Sequence, residues 1–370
     1  MNDNFDPEQP NNSLALLPPE VDLKDPDILI ASMKASRSVS QLRTRLTLSK
    51  RTIANAIDLF SPLFVPEAVA SSGVENIITT NDSVYIAKIK NSRSLEPVEK
   101  ETLRYTEAIE QGAHIVDERG FLTTNDYIKL QKTLEPAQNG IRNYSGTTLK
   151  NPSTGKIYYT PPVGERRIRD LLGNFEKYYN EGSPAHEVYA RMAILHYQFE
   201  AIHPFGDGNG RTGRILMPLY LMVQRELPVP VLFISQYILN NRDHYYELLR
   251  GVTNNGDWKK WIFFIIKATE EQANYTTDVL QKIQTNLGKT KTLLKEKYPN
   301  LYSSELVDFL FSRAYFTKKD FEKEIKVSPV TAKKYLMILE EEEILDKKKQ
   351  PKRNRYLYVN KKYTDVILNM

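Results

Sequence analysis

His203-Pro204-Phe205-Gly206-Asp207-Gly208-Asn209-Gly210-Arg211-Thr212-Gly213-Arg214 puts one histidine, one carboxylate, four glycines and two arginines into twelve residues. Gly206, Gly208 and Gly210 let the backbone turn tightly and present bare N–H groups. Arg211 and Arg214 are three apart and share one face where the chain turns helical. The pattern is a phosphate cradle with a base at its mouth, and it implies an enzyme that handles a nucleotide.

The flanks decide the fold class. Upstream, Val188, Met192, Leu195, Phe199 and Ile202 recur every three or four residues and predict a buried helix over 186–202 that delivers the chain into the bend. Downstream, Ile215, Leu216, Leu219 and Met222 predict a helix starting near Gly210 or Arg211, with Pro218 as a kink point. A helix in front of the glycines excludes the dinucleotide fingerprint, which follows a strand. The lack of Gly-Lys-Ser/Thr excludes a Walker A loop.

Each residue type suits phosphate chemistry. Gly208, Asn209 and Gly210 tolerate conformations that point successive N–H groups at an anion. Arg211 and Arg214 carry forked donors that match phosphate oxygens. Asp207 is a hard ligand suited to Mg2+ bridging phosphates. His203, neutral near pH 7, can take a proton from an attacking hydroxyl. Phe205 reads as a core plug, and His186 and His196 as packing or capping residues.

The 370-residue chain allows two or three domains, and its 41% hydrophobic and 26% charged content is ordinary for a soluble globular protein. With no cysteine there is no disulfide or thiolate metal site, which suits a cytoplasmic setting. The acidic, polar start at Met1 is no signal peptide, and the apolar run Trp261–Ile266 is too short to span a bilayer. A net charge of +5 says little about nucleic acid by itself.

Three regions follow. Residues 1–110 are an N-terminal helical region, with an irregular arm to about 26 and helix over 27–59. Residues 111–290 form the core, with helices over 124–134 (capped by Thr124 or Asn125), 166–181, 236–250 and 257–286. Within it, β-formers flanking a turn-rich centre predict a hairpin at 143–160. A lysine-rich stretch at 287–303 reads as a boundary. Residues 300–370 then give three helices, two of them capped by Thr317 and by Ser328 with Pro329 behind it, and two strands around the basic turn Lys347–Arg355. That order resembles a winged helix.

At every defined position, 203–214 resembles the signature of the Fic family, His-Pro-Phe-x-Asp/Glu-Gly-Asn-Gly-Arg-x-x-Arg. The resemblance implies an all-α core with a β-hairpin flap. It implies transfer of AMP from ATP to a Ser, Thr or Tyr hydroxyl of a target protein, and of the enzyme itself, with release of pyrophosphate. His203 is then the base and Asp207 the Mg2+ ligand. Gly208, Asn209, Gly210, Arg211, Thr212 and Arg214 bind ATP, with both arginines on the distal phosphates. The hairpin is the flap that docks the target as an added strand. Tyr237, Asn241 and Tyr245 follow the motif at about the distance needed to reach an adenine ring, and otherwise read as helix packing.

Ser71-Ser72-Gly73-Val74-Glu75-Asn76 resembles the family's inhibitory motif, Ser/Thr-x-x-x-Glu-Gly/Asn, and lies N-terminal to the core as in class II members. Ser71, Glu75 and Asn76 are its defined positions. The resemblance implies that Glu75 pairs with Arg214 in the ATP site. Two alternatives stand beside adenylylation. One is a DNA-binding regulator with a nucleotide-sensing core, and the other is removal of AMP by the same site. The acidic run Glu340–Glu343 argues against a uniformly basic DNA-binding face, which leaves target recruitment or a homodimer as uses of the last domain.

Overall fold

The apolar stripe that precedes the glycine bend becomes the central helix of the molecule. The computed structural model describes residues 5–49, 57, 60–89, 95–138, 140–150, 154–349 and 356–367. In chain order the elements are α1 (Pro26–Ser49), α2 (Phe64–Val74), α3 (Asn81–Ile89), α4 (Pro97–Arg119), α5 (Thr124–Leu134), β1 (Leu149–Lys150), β2 (Ile157–Tyr159), α6 (Glu165–Asn180), α7 (Val188–Ile202), α8 (Asn209–Val223), α9 (Ile234–Asn240), α10 (Arg242–Asn255) and α11 (Trp258–Lys297). The C-terminal unit adds α12 (Ser304–Ser312), β3 (Tyr315–Phe316), α13 (Lys318–Ile325), α14 (Pro329–Glu341), β4 (Leu345–Lys349), β5 (Tyr356–Asn360) and α15 (Lys361–Ile367).

Every residue of α7 except Glu200 is buried, so the helix must be surrounded by others. It packs against α8, α11, α6 and α1. Trp261 of α11 is fully buried and donates its indole N–H to Ala193 O at 2.7 Å. On the far side of α8 lies α4, which carries α2, α3 and α5. The fold is mostly helical, as expected. The hairpin forms as well: β1 pairs antiparallel with β2, Leu149 opposite Tyr159. Its turn residues 151–153 lie outside the described residues.

Several expectations change. Helix α1 is described over Pro26–Ser49, and the rest of the helix expected to Leu59 falls on 50–56 and 58–59, which lie outside the described residues. The N-terminal arm is irregular but firmly attached. Asn11 N–H donates to Thr160 O, Arg167 donates to the carbonyls of Asn12 and Leu14, and Leu14 and Leu17 are buried. Of the stretch read as a boundary, 287–297 continues α11, a single 40-residue helix, and 298–303 follows it. The helix's lysines there are exposed, while part-buried Ile283 and Leu287 and buried Thr290 and Leu294 continue an inward stripe at helical spacing. The cap of α5 is Thr123, one residue early, through a capping box with Asp126. The helix expected over 236–250 is two, α9 and α10, meeting at Asn241.

The caps expected at Thr317 and Ser328 are present. Strands β3, β5 and β4 form one antiparallel sheet, β5 in the middle. Residues 350–355 of the basic turn lie outside the described residues. Lys348, just before them, pairs with Asp82 of α3 at 3.1 Å, and the Tyr315 hydroxyl also bonds that carboxylate.

Candidate active site

Helix α7 ends by turning the chain left-handed at His203, with φ 48° and ψ 58°. A non-glycine residue there is strained and persists only where its surroundings fix it. The fixing contacts are visible. His203 N–H closes the helix onto Phe199 O at 3.0 Å, and Phe205 is fully buried against Phe199. Ile141 forms an isolated antiparallel bridge with Phe205. The Asn209 side chain accepts from Phe205 N–H and donates to Phe205 O, both at 2.8 Å. Gly208 then caps α8 at φ 79°, ψ 10°, a conformation that suits glycine.

At the start of α8 sits the carboxylate of Glu75. A Cβ on Gly210 would overlap Glu75 Oε1, so the absence of a side chain at 210 is what admits Glu75. The same oxygen accepts from Arg214 Nη2 at 2.7 Å. Arg214 is almost wholly buried, and it also donates to Ser71 Oγ at 2.9 Å and Ser71 O at 3.1 Å. Glu67, Ser71 and Glu75 are spaced four apart, so α2 turns one face toward this guanidinium. Asn76 sits just beyond the helix at φ 62°, and its side-chain oxygen accepts from Arg242 Nη1 at 2.6 Å.

Burial, and then the nearby Arg142 cation, depress the His203 imidazole to about 4, against the opposing pull of Glu75 and Asp207. It is therefore neutral at pH 7 and able to accept a proton. Burial pushes the Glu75 carboxyl up, but the charge and hydrogen bond of Arg214 more than reverse this, and the net shift is downward. Two further carboxyls near Arg214, Glu67 and Glu200, are raised by burial to about 7. Glu67 is satisfied by Tyr105 and Ser235, whereas Glu200 Oε1 is buried with no partner among the described residues.

Asp207 is the exposed acid of the bend, its side chain 63% accessible. One oxygen is fixed by Gly208 N–H at 2.6 Å. Among the described residues no three acids or histidines gather as a metal cage. A lone exposed carboxylate beside an anion site is the donor set that magnesium takes when phosphates and water complete its shell, so the residues fit that ion.

The structure thus brings His203, Asp207, Gly208, Gly210, Arg214, Glu75 and Ser71 together. Other candidates sit differently. Arg211 is buried between Glu101 (2.6 Å) and Glu135 (2.7 Å), which neutralise it before any ligand arrives. The Thr212 hydroxyl donates to Gly208 O, and the Asn209 side chain is engaged within the bend. Tyr245 is a core residue whose hydroxyl meets His196 Nε2 at 2.9 Å, between Trp261 and Phe264. Tyr237 packs edge-on to Phe264, and Asn241 donates to Tyr237 O. These three are held by helix packing, and no hydrogen bond joins them to 203–214 among the described residues. Sequence reading missed Arg142, Glu67, Glu101, Glu135 and Glu200. Only Glu67 carried a signal, its spacing of four from Ser71.

Comparison with known proteins fits this geometry. Residues 121–221 match the Fic/DOC family profile, 29–114 the Fic/DOC family N-terminal profile, and 287–363 the C-terminal domain of SoFic-like protein adenylyltransferases. The chain belongs to the Fic/DOC family. This Fic chain is 34% identical over 160 residues to the protein adenylyltransferase Fic of Drosophila melanogaster, covering 40% of this chain and 31% of that one. It is 28% identical over 185 residues to protein adenylyltransferase fic-1 of Caenorhabditis briggsae, covering 48% and 33%. The chain thus spans about a third of the length of these curated relatives. In fold it resembles the crystal structure of a Fic family protein from Desulfovibrio desulfuricans, with TM-score 0.54 and 16% identity over 89% of this chain and 95% of that one. It also resembles residues 134–508 of Fic-1 from C. elegans, with TM-score 0.51 and 17% identity over 70% and 74%.

Proposed function

We propose that this Fic chain transfers AMP from ATP to a Ser, Thr or Tyr hydroxyl of a target protein, and of itself, and that Glu75 holds the enzyme inhibited. One observation carries the reading. A neutral imidazole stands beside a helix start whose anion slot is filled by a carboxylate paired to Arg214 at 2.7 Å. That slot fits a phosphate oxygen, because it lies at a helix start with a guanidinium paired to the oxygen that now fills it.

In the reaction, the target oxygen attacks the α-phosphorus of ATP and its proton passes to His203. The bond from the α-phosphorus to the oxygen shared with the β-phosphorus breaks, and pyrophosphate leaves. The amides of Asn209 and Gly210 hold the phosphate oxygens as charge builds, while Gly208 N–H orients Asp207. Arg214, once Glu75 withdraws, holds the terminal phosphate. Magnesium, when bound at Asp207, would neutralise charge on the phosphates. Arg211 orders the start of α8 through Glu101 and Glu135 and adds positive potential there. The flap lies next to the bend, since the Tyr159 hydroxyl donates to Ala201 O at 2.8 Å, and an added target strand on it would bring a hydroxyl toward His203.

The test is incubation of the Glu75→Gly variant with α-labelled ATP, magnesium and cell lysate, followed by intact-mass analysis. Covalent label that disappears in E75G/H203A is the expected result. Tight ATP binding with no label on any protein would overturn the assignment and favour a nucleotide sensor.

A further inference from the structure

We infer that Arg142 is a positioning residue for His203, a buried guanidinium that ties the carbonyls of the catalytic bend to the base of the flap and fixes the direction of the imidazole. The inference deepens the adenylyl-transfer reading and rests on it for the role of His203.

Arg142 lies between α5 and β1 and is 2% exposed. Buried arginines are normally paired with acids. Among the described residues no ion pair is found for this one, and carbonyls meet it instead. Its Nε donates to His203 O at 2.8 Å, and its Nη2 to Pro162 O and, at 3.4 Å, to Ile202 O. Its own backbone N–H donates to Pro204 O at 2.9 Å. One residue thus holds three consecutive carbonyls, 202, 203 and 204, across the left-handed turn. Ile202 ends α7, where carbonyls lack helical partners and a cation is favoured.

The same guanidinium reaches the segment that leaves the flap, because Pro162 follows β2 by three residues. Ile141, its neighbour, bridges to Phe205 from the same segment. The flap base and the catalytic bend are therefore held as one piece. The remaining nitrogen, Nη1, is buried with no partner among the described residues. A lysine could not reproduce this fork.

The charge acts in the same direction as the geometry. The charged groups facing the imidazole are Arg142 from this segment, Glu75 after α2 and Asp207 in the bend, together with the Glu200 backbone on α7. Arg142 opposes protonation, and both carboxylates favour it.

The test compares Arg142→Met and Arg142→Lys in the E75G background. R142M is expected to lower kcat about 100-fold with KM for ATP within about threefold, the pattern of a displaced base. The His203 ring, followed by NMR in histidine-labelled protein and assigned among the five histidines with H203A, should titrate at higher pH in R142M. R142K keeps the cation, so its ring should titrate as in the parent while kcat stays at least about tenfold down. Full kcat in either variant would overturn the inference, as would an unshifted His203 titration in folded R142M. If R142M does not fold, R142K decides alone by its kcat. The titration needs no ATP, so a chain without transferase activity would defeat the functional reading while the ring shift still judged Arg142.

Discussion

Replacing Glu75 with glycine removes the carboxylate that fills the anion slot and leaves Arg214, among the described residues, with Ser71 as its remaining hydrogen-bond partner. The size of the effect follows from burial. The Arg214 side chain is 1% exposed and that of Glu75 36%, so the pair lies between a surface ion pair and a buried one. A surface pair contributes about 0.5 kcal/mol, and breaking a buried pair costs about 3–5 kcal/mol. A contact with one partner open to water is then worth about 2 kcal/mol. ATP must displace this contact before its terminal phosphate reaches Arg214. Removing the competitor should therefore tighten ATP binding about 30-fold. Isothermal titration calorimetry with ATP and magnesium, on wild type and E75G, measures the difference directly, and labelling by α-labelled ATP should rise with it. Glu75→Gln keeps the shape without the charge and should fall between the two. Without ATP the glycine variant should melt lower, because Arg214 has lost its nearest counter-charge, and ATP should restore the loss. Equal affinity in all three proteins would refute the competition argument, whatever the labelling shows.

His203→Ala should abolish AMP transfer in the E75G background and leave ATP affinity within about threefold, since a base acts in the transition state and adds little to ground-state binding; transfer with only a small loss would remove its role. Gly210→Ala, also in E75G, should weaken ATP binding at least about tenfold by filling the slot that a carboxylate now occupies, and calorimetry checks it. Glu101→Gln with Glu135→Gln strips a buried guanidinium of its two close carboxylates and leaves it Asp207 at 3.9 Å, which should cost about 3 kcal/mol and lower the melting temperature by a few degrees. ATP should recover more of that loss in the double variant than in the parent if phosphate reaches Arg211. The acid limb of kcat/KM in E75G should lie at pH 4 or below, because the imidazole is held at about 4 with Glu75 present and losing that anion lowers it further. A limb near 6.5 would mean an imidazole open to water.

What the sequence made legible is local. Glycine spacing, the arginines three apart and the apolar stripe of 188–202 depend on chain neighbours only, and they located the bend and its two helices; the pairing of Glu75 with Arg214 came from the family resemblance of 71–76. What stayed hidden is set by groups meeting across the fold. Arg211 read as a free phosphate ligand because its partners, Glu101 and Glu135, lie 110 and 76 residues away. Tyr245 read as either an adenine contact or helix packing from its spacing, which does not show that its hydroxyl meets buried His196. Arg142 gave no sign at all, since a single arginine in a turn-rich stretch looks solvated until three carbonyls of the bend converge on it. Lys348 shows the same rule at longer range. In a basic turn it suggests nucleic acid, but its ammonium group is engaged with Asp82 on α3, the helix that follows the inhibitory segment. The last unit therefore touches α3, through Asp82. A surface that reads as a separate module by its charge is thus packed on the helix next in the chain after the inhibitory segment.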